Sequence, residues 1–132
     1  MQKMFMAALT VVFVTALWVG VSVASATVTW TPDYHWIKDP RTNVYLWNPE
    51  PSGNEYIYWS GSYATTDLED EYGHAIRFAH GYGTVSWYRD DVLIQVDEGS
   101  FWYGRHDGYF THTFYPSGRV IHSRWDKGTE IE

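Results

Sequence analysis

The chain has no cysteine. No disulfide can staple it and no thiolate can serve as nucleophile or metal ligand, so packing alone must hold whatever folds. Basic residues are also scarce, with nine Lys and Arg against sixteen Asp and Glu. They are scattered singly, which argues against nucleic acid and anionic lipid headgroups as partners, because both demand clustered positive charge. Leucine almost vanishes after residue 26, leaving Leu46, Leu68 and Leu93. No helical period persists in that region. There is no G-x-S-x-G nucleophile elbow, no D-x-D-x-D-G calcium loop, and no Gly-rich loop opening a helix to cradle phosphate. Asp90-Asp91, Asp97-Glu98 and Glu69-Asp70-Glu71 read as solvated turns and loops rather than as paired carboxylates across a cleft. No cofactor and no catalytic activity are expected.

The one long apolar run is Met4 to Val19, after a basic start at Lys3 and before Ala24-Ser25-Ala26. That order of charge, apolar centre and small residues predicts a helical secretory signal peptide over 1–26. An uncleaved anchor is the alternative, since a membrane span needs about 20 apolar residues. No Cys follows the run, which excludes lipoprotein anchoring. Residues 27–132 then form one exported domain, secreted or periplasmic, with net charge −8 and no stable membrane insertion after cleavage.

Aromatic side chains are abundant. Residues 27–132 carry seven Trp, eleven Tyr and four Phe. Each ring buries a large area and suits a strand, so the rings replace leucine as core and predict an all-β fold. Strand-like runs alternate with turn clusters such as "KDPRTN", "HGYG", "GRHDG" and "YPSGR", which predicts an antiparallel meander of consecutive β-hairpins. Thr65 to Gly73 reads as an acidic loop.

The second half repeats. "GYGTVSWYRDD" from Gly81 aligns with "GYFTHTFYPSG" from Gly108 at an offset of 27, matching Tyr82 with Tyr109, Thr84 with Thr111, Trp87 with Phe114 and Ile94 with Ile121. A fixed period of this length marks a repeat array. Each unit closes with a ring three residues before glycine, Phe101 before Gly104 and Trp125 before Gly128. The spacing Gly99-x-Phe101-x-x-Gly104-x-x-x-Gly108, followed by Phe114 and Gly118, resembles the MORN repeat. Phe110 and Asp91 stand where that motif has glycines, so the match is to a variant. The resemblance implies stacked hairpins over 59–128, with 27–58 as an atypical N-terminal cap, and a scaffold or binding role rather than catalysis.

A three-residue loop at Pro116–Gly118 predicts that His112 faces His122 across the last hairpin, which makes the two histidines candidate metal ligands. The plainer reading, two imidazoles stacked at an exposed end, is preferred. Such a pair would repel when protonated and loosen the hairpin below pH ~6. The expected function is a non-catalytic binding or scaffold module with a protein partner. The alternative is a carbohydrate- or cell-wall-binding module, its glycan held by Trp59, Tyr63, Trp102, Tyr103 and Trp125.

Overall fold

The computed structural model describes residues 28–132, and the expected signal peptide lies outside the described residues. The fold is all-β. Among the described residues nine strands follow in order: β1 (Val28–Thr29), β2 (Trp36–Asp39), β3 (Val44–Trp47), β4 (Glu55–Glu69), β5 (Ala75–Arg89), β6 (Val92–Trp102), β7 (Arg105–Phe114), β8 (Arg119–Asp126) and β9 (Thr129–Glu130). From β4 to β9 each strand pairs antiparallel with the next. Two pairings depart from a pure meander. β3 lies parallel to the start of β5, and β1 lies parallel to the end of β4.

Two-residue turns close the hairpins where the backbone can turn left-handed. Asp90-Asp91, Tyr103-Gly104 and Lys127-Gly128 all have positive φ at both positions, the geometry that matches strand twist. The last two are the ring-x-x-glycine endings of the repeat. Gly104 also plugs a gap in the sheet. Its N–H donates to Ala79 O at 2.7 Å and its carbonyl accepts from Trp47 N at 2.8 Å, so it joins β5 to β3.

Three expectations need correction. "HGYG" is not a turn. β5 runs straight through it, with Gly81 at φ 98° inside the strand. "GRHDG" contributes only Gly104 to a turn, and the rest belongs to β7. Thr65–Glu69 is strand rather than loop, because Thr66 Oγ1 donates to Ile76 O and β1 pairs beside Leu68 and Glu69.

The in-strand glycines form a row, Gly61 opposite Gly83 and Gly83 opposite Gly99. Rings lie flat on that row. A Cβ on Gly61 or Gly83 would strike the Trp59 indole, and one on Gly99 would strike Phe110. Such ring-over-glycine packing returns to a bare strand the apolar cover that glycine lacks. A bulge between Gly61 and Tyr63 frees the Ser62 carbonyl, which accepts from Trp59 Nε1 at 2.9 Å. Phe101 then packs edge-on against both Trp59 and Phe110, with centroids 5.0 and 5.1 Å away. Leu46, Ile37 and Val44 from β2 and β3 join Ile57, Val85 and Trp87 on this inner face. A smaller cluster of Tyr45, Ile76 and Phe78, with Trp30, Trp36 and Leu68 against it, fills the opposite face.

Asp39, fully buried, ties the β2–β3 hairpin to β4. Its carboxylate accepts from Trp59 N at 2.9 Å and from Arg41 N at 2.8 Å, and pairs with Arg41 Nη2 at 2.7 Å. Asp39→Ala strands the Trp59 and Arg41 N–H groups, at an expected cost of about 3 kcal/mol. Urea denaturation checks this, and a loss below 1 kcal/mol would contradict the tie.

Candidate functional site

Register places the site. One line of residues crosses the inner face as Trp59, Val85, Asp97, His112 and Ile121. The adjacent line runs Gly61, Gly83, Gly99, Phe110 and Ser123. His112 therefore sits beside Asp97 on one neighbouring strand and diagonally across from Ser123 on the other.

The contacts follow from that placement. His112 Nδ1 lies 2.7 Å from Asp97 Oδ1, and its Nε2 lies 2.5 Å from Ser123 Oγ. Trp125 Nε1 donates to the same Oγ at 2.6 Å. Asp97 accepts further from Trp87 Nε1 at 2.8 Å and Gln95 Nε2 at 2.7 Å. His106 Nε2 stands 3.6 Å from Asp97 Oδ2, close enough for charge but too long for a good hydrogen bond. Asp97 is 1% exposed, and His106, His112 and Ser123 are all buried.

Asp97 as carboxylate only accepts, so His112 donates through Nδ1, and in the neutral ring of that tautomer Nε2 is the acceptor for Ser123. Trp125 then fills one Ser123 lone pair. Burial alone would push the Asp97 carboxyl up, but the His106 and His112 imidazoles, then the Gln95 amide, hold it well below the usual carboxylate range.

This chain of groups lines a pocket of about 390 Å³. Trp125, Phe114 and Ile121 form an apolar wall, while Asn48 and Glu50 come in from the β3–β4 connection, Glu55 from the start of β4 and Glu130 from β9. Arg89 at the mouth is already paired with Glu55 at 3.2 Å. The pocket lining thus combines carboxylates with aromatic rings.

Of the residues expected to bind, only Trp125 lines this pocket. Trp59 is 6% exposed and belongs to the core, covering glycine. Tyr63 is half exposed, beneath the Arg77 guanidinium at 5.1 Å. Trp102 and Tyr103 are exposed together at the β6–β7 turn, edge-to-face at 5.3 Å, with Lys127 Nζ over Trp102. The five do not converge.

The His112–His122 pair does not form. Four residues, Tyr115–Gly118, close the last hairpin, and Phe114 faces Arg119. That one-residue change puts Thr111 opposite His122 and sends the two imidazoles to opposite faces. His112 is buried in the site, and His122 is exposed. The expected pH loosening by mutual repulsion falls with it. Among the described residues no group of three or more His, Cys, Asp or Glu is arranged to hold a metal.

Asp97 and Ser123 escape sequence reasoning because they stand 15 and 11 residues from His112, on separate strands, with no local motif. The available signal was a lone Asp in strand alternation, at the place where the face should be apolar.

Comparison with family models, curated proteins and solved structures finds no match to this chain. The fold and the pocket therefore carry the functional reading by themselves.

Proposed function

We propose that the chain is an exported MORN-like binding module and that its ligand, a saccharide, sits in the pocket over Ser123 and Trp125. The observation that carries this is the pairing of an indole wall with carboxylate and amide groups in one recess. A sugar ring has an apolar face for the former and hydroxyls for the latter. The volume falls in the roughly 300–1,000 Å³ range of small-molecule sites. Of the five rings expected to bind, only Trp125 lines this recess, so the sugar reading rests on the recess and not on an exposed aromatic row. Support for the MORN-like assignment comes from Gly81 and Gly108, both in-strand with φ near 100°, and from the matched turns at Gly104 and Gly128. The hairpin loops differ in length, two residues against four, so the units are divergent copies.

A glycan array followed by Trp fluorescence titration tests the reading. Trp125→Ala is expected to weaken saccharide binding at least tenfold, and Trp102→Ala to leave it unchanged. Equal effects of the two, or silence across the array, would overturn it.

A second reading has its own observation. Among the described residues, the edge of β4 away from β5 carries no strand from Glu55 to Asp67. Asp39 already takes the Trp59 N–H on that edge, so the stretch left to a partner that adds a strand is 60–67. Hydrogen exchange at 60–67 that slows only with a captured protein would favour it over the saccharide.

A further inference from the structure

We propose that Asp97, His112 and Ser123 form an acyl-transfer relay, and that the pocket takes an ester of a hydroxylated ligand, such as an O-acylated saccharide. This rests on the pocket being the ligand seat and goes beyond binding. It also departs from the expectation of no catalysis drawn from the sequence.

A serine hydroxyl in a sheet interior ordinarily bonds to backbone or water. Ser123 Oγ instead lies 2.5 Å from an imidazole nitrogen whose other nitrogen is fixed by a buried carboxylate at 2.7 Å. That is the nucleophile, base and orienter order by which a hydroxyl is activated, and it is recognised by geometry rather than by sequence position. All three residues line the same pocket, which gives a carbonyl carbon room to arrive beside Ser123. The two strand-to-strand steps lock the geometry, because each residue stands on a separate paired strand.

The steps balance. Ser123 Oγ bonds to the ester carbonyl carbon as its proton passes to His112 Nε2. The carbonyl oxygen becomes an oxyanion, and Trp125 Nε1–H, 2.6 Å from Oγ, is the adjacent donor for it. The carbon–alkoxy bond then breaks and the alcohol leaves with the proton from Nε2. Water attacks the acyl-serine and gives its proton to Nε2. The carbon–Oγ bond breaks, the carboxylic acid departs, and Ser123 recovers its proton. Ester and water become acid and alcohol, with no redox change and no cofactor. Ser123 and His112 are the catalytic residues. Asp97 is a positioning residue that keeps His112 in the Nδ1–H tautomer.

The test treats the full-length chain with a fluorophosphonate probe and reads intact mass, alongside hydrolysis of p-nitrophenyl acetate and release of acetate from an acetylated oligosaccharide. Expected are a single adduct on Ser123, abolished in Ser123→Ala, and turnover reduced on the order of 10²–10⁴-fold in His112→Gln. Circular dichroism separates loss of activity from loss of fold. If His112→Gln does not fold, Trp125→Phe, which keeps the ring and removes the N–H, serves instead and is expected to slow labelling. A folded Asp97→Asn should lose labelling near neutral pH and regain part of it as pH rises, which a purely structural role for Asp97 would not produce. No adduct, or labelling at another residue, overturns the relay. Saccharide binding without labelling removes the relay and retains the binding reading. Labelling without saccharide binding does the reverse.

Discussion

Asp97→Ala is expected to lower the stability of the domain by about 3–5 kcal/mol, enough to drop its melting temperature by roughly 15 °C or more. The mechanism is loss of a shared acceptor. The Trp87 indole N–H, the Gln95 amide and the His112 Nδ1–H all end on this one carboxylate, which is 1% exposed. Removal leaves two buried donors and the half-buried Gln95 amide without partners, each buried one costing about 1–3 kcal/mol where no water replaces the acceptor. The sign of the acid response follows from the same contacts. The folded carboxyl sits below its unfolded value of about 3.9, so its stabilisation is complete above that pH. The stabilisation drains as pH falls from about 4 toward the folded value. Asp39, also held low by Arg41 and the Trp59 N–H despite burial, adds to the same limb. The native protein should therefore lose melting temperature steeply below pH ~4, and Asp97→Asn should show a shallower fall from a lower plateau. Calorimetry between pH 2 and 7 checks both. An unchanged acid limb in the variant would show that Asp97 does not carry it.

Gly83→Ala is the second large effect, at about 3 kcal/mol or more, in the upper range for overpacking a dense core. The added methyl would fall on the Trp59 indole and 2.5 Å from the Ser60 carbonyl oxygen. Neither yields easily. The indole is wedged against Phe101 and held by its bond to Ser62 O, and Ser60 belongs to the paired strand. The clash has a diagnostic partner. Trp59→Leu alone opens a cavity and destabilises, but combined with Gly83→Ala it removes the ring atoms that the methyl meets and leaves only the Ser60 carbonyl contact. The double variant should be more stable than the sum of the two losses predicts, by about 1 kcal/mol or more. Strict additivity in urea denaturation would mean that the ring does not lie on Gly83.

These two variants also mark what the sequence conveyed and what it hid. Aromatic excess with little leucine announced the β-class correctly, because rings and strands suit each other. The glycines after Phe101 and Trp125 announced turns, and turns stand there. The same logic failed at Gly81 and Gly83, where paired glycines imitate a turn. Both lie within β5, where Gly83 serves as a floor for Trp59, and only the position of that ring, twenty-odd residues earlier, distinguishes the cases. The last hairpin failed for a different reason. One additional loop residue reverses every side chain beyond it, so His122 left the face on which His112 remained. The site itself was illegible: Asp97 and Ser123 acquire meaning only when strand register brings them to His112. An acidic residue read as part of a solvated turn is, in the fold, the most enclosed carboxylate of the pocket.

The histidine side chains give the most direct view of the hydrogen-bonded chain on which the site depends. In a ¹⁵N-edited imidazole spectrum near neutral pH, His112 should appear as the Nδ1–H tautomer, with a slowly exchanging, strongly downfield proton that disappears in Asp97→Asn. A His112 resonance showing the Nε2–H tautomer, or a ring proton exchanging as fast as that of exposed His122, would contradict the account.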